Sequence, residues 1–365
     1  MQVEARDVNR SYGDETAVDG VSLSVGAGEV FALVGPNGAG KTTLVKCLTG
    51  VLEPDSGETR LGGVQSRKFD RNRLGVLPQE FTPPERLSVK ELVEYYGSLY
   101  SDTLDYDDVI SQLGLGDCVG DRYRNLSGGQ KRRLCVATAI VNDPDVLFLD
   151  EPTTGIDPAG RKELWNYISG LSEKDTAVFL TTHYMEEAEV LADRVGLMAD
   201  GRLVEVGEPE ELVEKHAPDP ELVVEYTDSD VGDVVDLLSR HFDSGVPESE
   251  IKFEHGDGDV TFQVVGDVVV FNDVSAGEIG GIVDVLGETD LEYGEIVWRQ
   301  PGLSEVYVRL VEEIGMSNSI DNTSKTEPET DGSGINGSET SETGGVRGSE
   351  PGGFRGSGLR GGDRE

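Results

Sequence analysis

A chain of 365 residues with 36% hydrophobic content can bury two cores of ordinary size, and it contains no run near the roughly 18 apolar residues needed to cross a bilayer. Its 71 acidic against 31 basic side chains leave a net charge of −40, which disfavours non-specific nucleic-acid binding because no basic face exists to release counterions. Self-repulsion of that size opposes compaction unless salt shortens the screening length from about 10 Å at 0.1 M to about 3 Å at 1 M, so a halophilic protein of a very salty cytosol is expected.

The start, Met1 to Arg6, lacks a basic segment leading into an apolar one, so no secretory signal is expected. Cys47, Cys118 and Cys135 form no C-x-x-C pair, which argues against disulfides and zinc. Residues 1–30 alternate apolar and polar, with turns at 11–14 and 26–28, and so predict an antiparallel hairpin layer. Tyr12 sits at the first of those turns, where its ring is either a platform for a base or an ordinary core or surface tyrosine.

Residues 30–34 form a continuous apolar run, as in a buried parallel strand, and run into Gly35-Pro36-Asn37-Gly38-Ala39-Gly40-Lys41-Thr42-Thr43. Glycines at that strand-to-helix turn let backbone N–H groups converge on an anion at the positive end of the following helix. Lys41 is expected to reach outer phosphates and the Thr42 hydroxyl to ligate Mg²⁺. The helix is expected to run from Lys41 to about Leu52, followed by a turn at 53–57 and a strand at 58–61. Pro78 stops a short strand begun at Leu74 and leaves Gln79 at a loop edge.

From Val89 the period turns helical, with Val89, Leu92, Val93 and Tyr96 on one face and Val109, Ile110 and Leu113 on another, which predicts a helical subdomain at about 85–141. It ends in Leu126-Ser127-Gly128-Gly129-Gln130, where Ser127 is a good N-cap and the glycines permit close approach to the helix start. A Ser-Gly-Gly alone is usually a simple cap; beside a phosphate loop it reads as a second anion site. Residues 146–149 are a wholly apolar strand closed by Asp150 and Glu151. Asp150 there suits Mg²⁺ ligation, and Glu151 could polarise a water for attack on a γ-phosphate. A helix opens at Asp157-Pro158, another buried strand spans 176–182, and His183 stands past its carboxyl end, where a γ-phosphate contact is expected.

These motifs, in this order, resemble the ATP-binding cassette ATPases of membrane transporters over the first 215 or so residues. The implied fold is α/β, a P-loop NTPase (RecA-like) cassette with an antiparallel β layer and a helical subdomain, binding ATP and Mg²⁺. The resemblance implies a head-to-tail dimer in which Ser127, Gly128, Gly129 and Gln130 of one cassette face ATP held by Gly35, Asn37, Gly38, Ala39, Gly40, Lys41, Thr42 and Thr43 of the other. By the same carry-over Tyr12 stacks on adenine, Thr42, Gln79 and Asp150 serve the metal, Glu151 orients the attacking water, His183 holds it and the γ-phosphate, and Asp157 forms the D-loop. Thr154-Gly155-Ile156-Asp157 departs slightly from the family's usual Ser-Gly-Leu-Asp. Residues 181–189 and 201–209 look like the multidrug, sodium and polysaccharide exporter (daunorubicin-resistance-like) branch.

The implied protein is the ATP-hydrolysing subunit of an exporter, a homodimer or a heterodimer with a second cassette, peripheral on the inner face of the cell membrane beside a separate polytopic permease. No nucleic-acid partner is expected. A cassette ATPase acting on ribosomes or DNA is the alternative; such proteins usually carry two cassettes or a long coiled coil, and neither is visible here. The cassette is expected over 1–215. An α/β accessory domain is expected over 216–314, with strands at 221–226, 251–253, 260–265 and 292–297 and helices at 231–241, 274–286 and 303–311. Residues 315–365, rich in Gly, Ser, Thr and acids, are expected to stay disordered. Arg347-Gly348, Arg355-Gly356 and Arg360-Gly361 recur in that stretch, which reads as a solubilising tail before an RNA-binding one.

Overall fold

Alternation along the first strands decides the first layer. In β1 (Val3–Tyr12) and β2 (Glu15–Val25), Val3, Ala5 and Val8 are buried with Val18, Val21, Leu23 and Val25. The computed structural model describes residues 2–172, 175–226, 251–255, 258–265, 268–288 and 293–315. It pairs β1 antiparallel with β2 and with β4 (Ser56–Leu61), and β5 (Val64–Gln65) completes a sheet ordered β2-β1-β4-β5.

The strands expected to be buried form a second sheet. β3 (Val30–Val34) lies at its heart, in the order β10-β9-β3-β8-β7-β6, with β6 (Leu74–Leu77), β7 (Val146–Asp150), β8 (Ala177–Thr182), β9 (Arg194–Ala199) and β10 (Arg202–Gly207). All neighbours are parallel except β10, which pairs antiparallel with β9. Every residue of β3, β7 and β8 is buried, because a parallel sheet is covered on both faces. Phe31, Leu33, Phe148 and Phe179 point to the antiparallel layer and to α1 (Lys41–Leu48), with Phe31 and Phe148 each 5.4 Å from the Phe179 ring centroid. Ala32, Val34, Leu147, Leu149, Val178 and Leu180 point the other way.

That second face is covered by α4 (Gly128–Ile140), α5 (Pro158–Ser172) and α6 (Met185–Leu191), through residues such as Leu134, Leu164 and Ala188. α2 (Val89–Gly97) and α3 (Tyr106–Gln112) add Leu92, Val93, Val109 and Ile110 to the same core, with the apolar faces the periodicity predicts. Because five strands run parallel, their carboxyl ends share one edge, where β3, β6, β7 and β8 hand the chain to the loops carrying Gly35, Gln79, Glu151 and His183.

α7 (Pro209–His216) follows β10. A five-stranded antiparallel sheet then collects β11 (Glu221–Tyr226), β12 (Ile251–His255), β13 (Gly258–Val265), β14 (Val268–Asn272) and β15 (Tyr293–Arg299) in the order β12-β13-β14-β11-β15. Its core joins Leu222, Val224, Phe262 and Phe271 to Ile282 and Leu286 of α8 (Ile279–Glu288). The last helix, α9 (Leu303–Ile314), goes elsewhere: Leu303, Val306, Tyr307, Leu310 and Val311 join the cluster beneath the parallel sheet, and Glu189 of α6 accepts from the Leu303 N–H at 2.5 Å.

Several local expectations shift. α1 stops at Leu48, where the Thr49 hydroxyl bonds back to the Val45 carbonyl, so the stretch to 52 is turn. α8 begins at Ile279, after a Ser275 turn held by Glu278. β14 was not anticipated, nor were β9, β10, α6 and α7 as elements. The helix expected at 231–241 and the tail from 316 onward lie outside the described residues. Among the described residues no helix is long and apolar enough to cross a membrane.

Candidate nucleotide site

At the end of β3 the glycines are demanded by neighbouring backbone. A Cβ on Gly35 would stand 2.2 Å from the Met198 carbonyl oxygen, and one on Gly40 2.0 Å from that of Ala17. Gly40 also takes φ +101°, and no side chain caps α1, so the first N–H groups of that helix are left for an outside acceptor. Gly38, at φ +86°, has nothing within 4 Å of a built Cβ: the loop presses inward at 35 and 40 and stays open at 38. Asn37 is exposed, while Ala39 is buried and donates its N–H to Pro36. Lys41 folds its buried ammonium over the loop, donating to the carbonyls of Gly35 at 2.7 Å and Pro36 at 3.0 Å. Burial pushes the Lys41 ammonium below its ordinary pKa, against the opposing pull of Glu151 and Asp150.

Thr42 and Gln79 meet across the edge, the threonine hydroxyl donating to Gln79 Oε1 at 3.4 Å. Asp150 ends β7 buried and accepts from the Thr181 hydroxyl. Glu151 follows at φ +50°, a left-handed conformation rare outside glycine, and its N–H donates to the Thr181 carbonyl at 3.0 Å. That turn sends its carboxylate toward His183: Oε1 lies 3.4 Å from His183 Nδ1, and Oε2 accepts from the Thr154 hydroxyl at 3.2 Å. His183 Nδ1 is buried and makes no hydrogen bond, so Glu151 Oε1 is its polar neighbour by proximity alone.

Residues 126–130, the signature segment that the resemblance implies, are built as a helix cap. Ser127 Oγ accepts from the Gln130 N–H at 3.2 Å, and Gln130 Oε1 accepts from the Ser127 N–H at 2.9 Å. Ser127 and Gly128 remain exposed. A Cβ on Gly128 would approach the Gly155 carbonyl to 3.1 Å, and one on Gly129 would meet the Asp157 carboxylate at 3.4 Å, so signature and D-loop adjoin. Asp157 accepts from the N–H groups of Gly160 and Ala159, and the Gly160 bond leads in holding its carboxyl below the usual range. Among the described residues no hydrogen bond or ion pair joins 126–130 to 35–43. Tyr12 ends β1 half-exposed, with the Arg10 guanidinium 5.2 Å from its ring centre.

The set fits a nucleoside triphosphate and Mg²⁺. Amides at an uncapped helix start and a lysine suit phosphates, while the Thr42 hydroxyl, the Gln79 carbonyl oxygen and the Asp150 carboxylate are the hard oxygen donors that Mg²⁺ takes, with phosphate and water completing its shell. Two supporting residues escaped the sequence reading. Thr181 holds both acids, and polar residues closing an otherwise apolar strand were its signal. Arg132 donates to the carbonyls of Asp150, Glu151 and Pro152, and nothing in the run Lys131-Arg132-Arg133 set it apart.

A family model described as ABC transporter matches residues 18–154. The daunorubicin resistance ATP-binding protein DrrA3 of Streptomyces coeruleorubidus is 35% identical over 309 residues, covering 82% of this chain and 93% of that protein. A Nod factor export ATP-binding protein I of Burkholderia orbicola (strain AU 1054) is 41% identical over 237 residues, covering 60% and 77%. Among solved structures, an ATP-binding subunit of an ABC transporter superposes with a TM-score of 0.54 at 24% identity, over 59% of this chain and 93% of that one. A dimeric bacterial ABC transporter cassette gives 0.52 at 21% identity, over 56% and 98%. These two likenesses speak to the fold, a P-loop α/β cassette with an added sheet. The chain belongs to the ABC transporter family as an ATP-binding cassette protein, an ATPase.

Proposed function

We propose that two cassettes, this chain with its own copy or with a second cassette, close head to tail over two ATP molecules and drive export through a separate polytopic permease at the inner face of the cell membrane. The observation that carries this reading is the placement of the signature: Ser127 and Gly128 stand exposed at the start of α4, capped, and without a bond to their own phosphate loop. The names of two relatives, one for daunorubicin resistance and one for Nod factor export, favour export as the direction. We take 1–215 as the cassette, 216–314 as an accessory module that returns α9 to the cassette, and 315–365 as a tail.

Within a closed pair, the amides of 38–43 and Lys41 cradle the phosphates and Tyr12 offers its ring to adenine. Thr42, Gln79 and Asp150 hold Mg²⁺, which when bound neutralises charge on the phosphate oxygens. Glu151 accepts hydrogen-bonding from the attacking water and directs its oxygen at the γ-phosphorus, while the bond to the departing ADP oxygen breaks. His183, beside Glu151, steadies water and phosphate. Ser127, Gly129 and Gln130 from the opposing cassette, with Asp157 behind them, close the far side.

Glu151→Gln keeps the shape and removes the charge. ATP turnover should fall by about 10²–10⁴-fold, the usual contribution of a general base, while ATP alone should convert the variant to a dimer visible by size-exclusion chromatography. Wild-type turnover in that variant would refute the role given to Glu151.

A further inference from the structure

Three basic residues in succession on α4 take three different partners. Lys131 lies over the Tyr123 ring at 5.5 Å, and Arg133 pairs with Glu163. Arg132, half-buried between them, pairs with no carboxylate among the described residues. Its guanidinium donates instead to three consecutive carbonyls: Nη2 to Asp150 at 2.7 Å and Glu151 at 2.6 Å, and Nε to Pro152 at 3.0 Å. Carbonyls alternate in direction along a strand, so three in succession reach one donor only once the chain has left β7, and the left-handed φ of Glu151 makes that turn. The N–H side of the turn is held by Thr181 and the carbonyl side by Arg132.

We propose that Arg132 is a positioning residue: it aims the Glu151 carboxylate by clamping the backbone on both sides of it, and joins the signature end of α4 to the hydrolytic edge of the same chain. Arg132 stands five residues beyond Ser127, roughly 7–8 Å along a rigid, largely buried helix. A shift of the capped tip on gripping the opposing nucleotide therefore reaches the Glu151 turn directly. A planar fork suits this work, because its donors are fixed in one plane. A lysine in its place is a point charge that cannot span three acceptors. The inference rests on the role given to Glu151 above.

The test compares Arg132→Ala and Arg132→Lys with the wild-type full chain in ATP turnover, ATP affinity and melting temperature. The alanine variant should lose at least about tenfold in kcat while its ATP dissociation constant stays within about twofold, the pattern of a transition-state defect. Ethylguanidinium in the medium, but not ethylammonium, should restore turnover several-fold, and the lysine variant should recover little. A kcat within about twofold of wild type, or a loss that follows the melting temperature and is not relieved by guanidinium, would overturn the proposal. If the alanine variant does not fold, Arg132→Lys carries the test at the same threshold; a lysine variant that also fails to fold would make the residue structural and overturn it as well. An inactive Glu151→Gln beside an active Arg132→Ala removes this inference alone, whereas an active Glu151→Gln removes the reading beneath it.

Discussion

Glu187 of α6 is wholly buried four residues past His183, with Trp165 Nε1 donating to its Oε1 at 3.2 Å. Burial raises its carboxyl above the ordinary range, against opposing stabilisation from Trp165 and Arg161. A carboxyl with a raised pKa keeps its proton longer folded than unfolded, so it weakens the fold as pH climbs from the ordinary value of about 4.3 toward the folded one. Glu187→Gln should therefore melt above wild type at about pH 7, with the gap closing near pH 4. A gap that ignores pH would assign it to packing instead. At this scale the acids and the histidine of the site could be read one by one, since each ends an apolar run, but their 3.4 Å approach could not. Thr181 and Arg132 were opaque for a related reason: what distinguishes them is a partner some 20 to 30 residues away.

Elements repeat the lesson with larger pieces. The turn between β3 and α1 was readable because its glycines carry a local backbone requirement. Gly40→Ala should combine the cost of a left-handed alanine, about 1–2 kcal/mol, with a clash against the Ala17 carbonyl, and so lower both the melting temperature and ATP affinity; unchanged nucleotide binding would mean the loop can shift. The capping box at Ser127 and Gln130 was partly readable as well, since Ser127 announces itself as an N-cap. β14 was missed because its valines follow β13 after a single short break, and a run of apolar residues does not show where one strand ends. α9 was seen as a helix, yet its apolar face packs against α6 and α7 instead of the sheet it follows in sequence.

For the whole molecule, a net charge of −40 must be held together while Coulomb repulsion favours expansion. Melting temperature should rise between dilute buffer and about 1 M KCl, where the screening length falls to about 3 Å; a flat or falling curve would leave the chain an ordinary acidic protein. Composition, period and motif spacing by themselves determined the alternation of strands and helices, the glycine turn before α1, the helix cap at Ser127 and the charge problem, because each is a property of neighbours along the chain. Only the tertiary structure decided that Glu151 faces His183, that Arg132 clamps the turn between the acids, and that the final helix returns to the first core. Those contacts depend on which strands lie side by side and how their covering helices pack, and no local pattern carries that information.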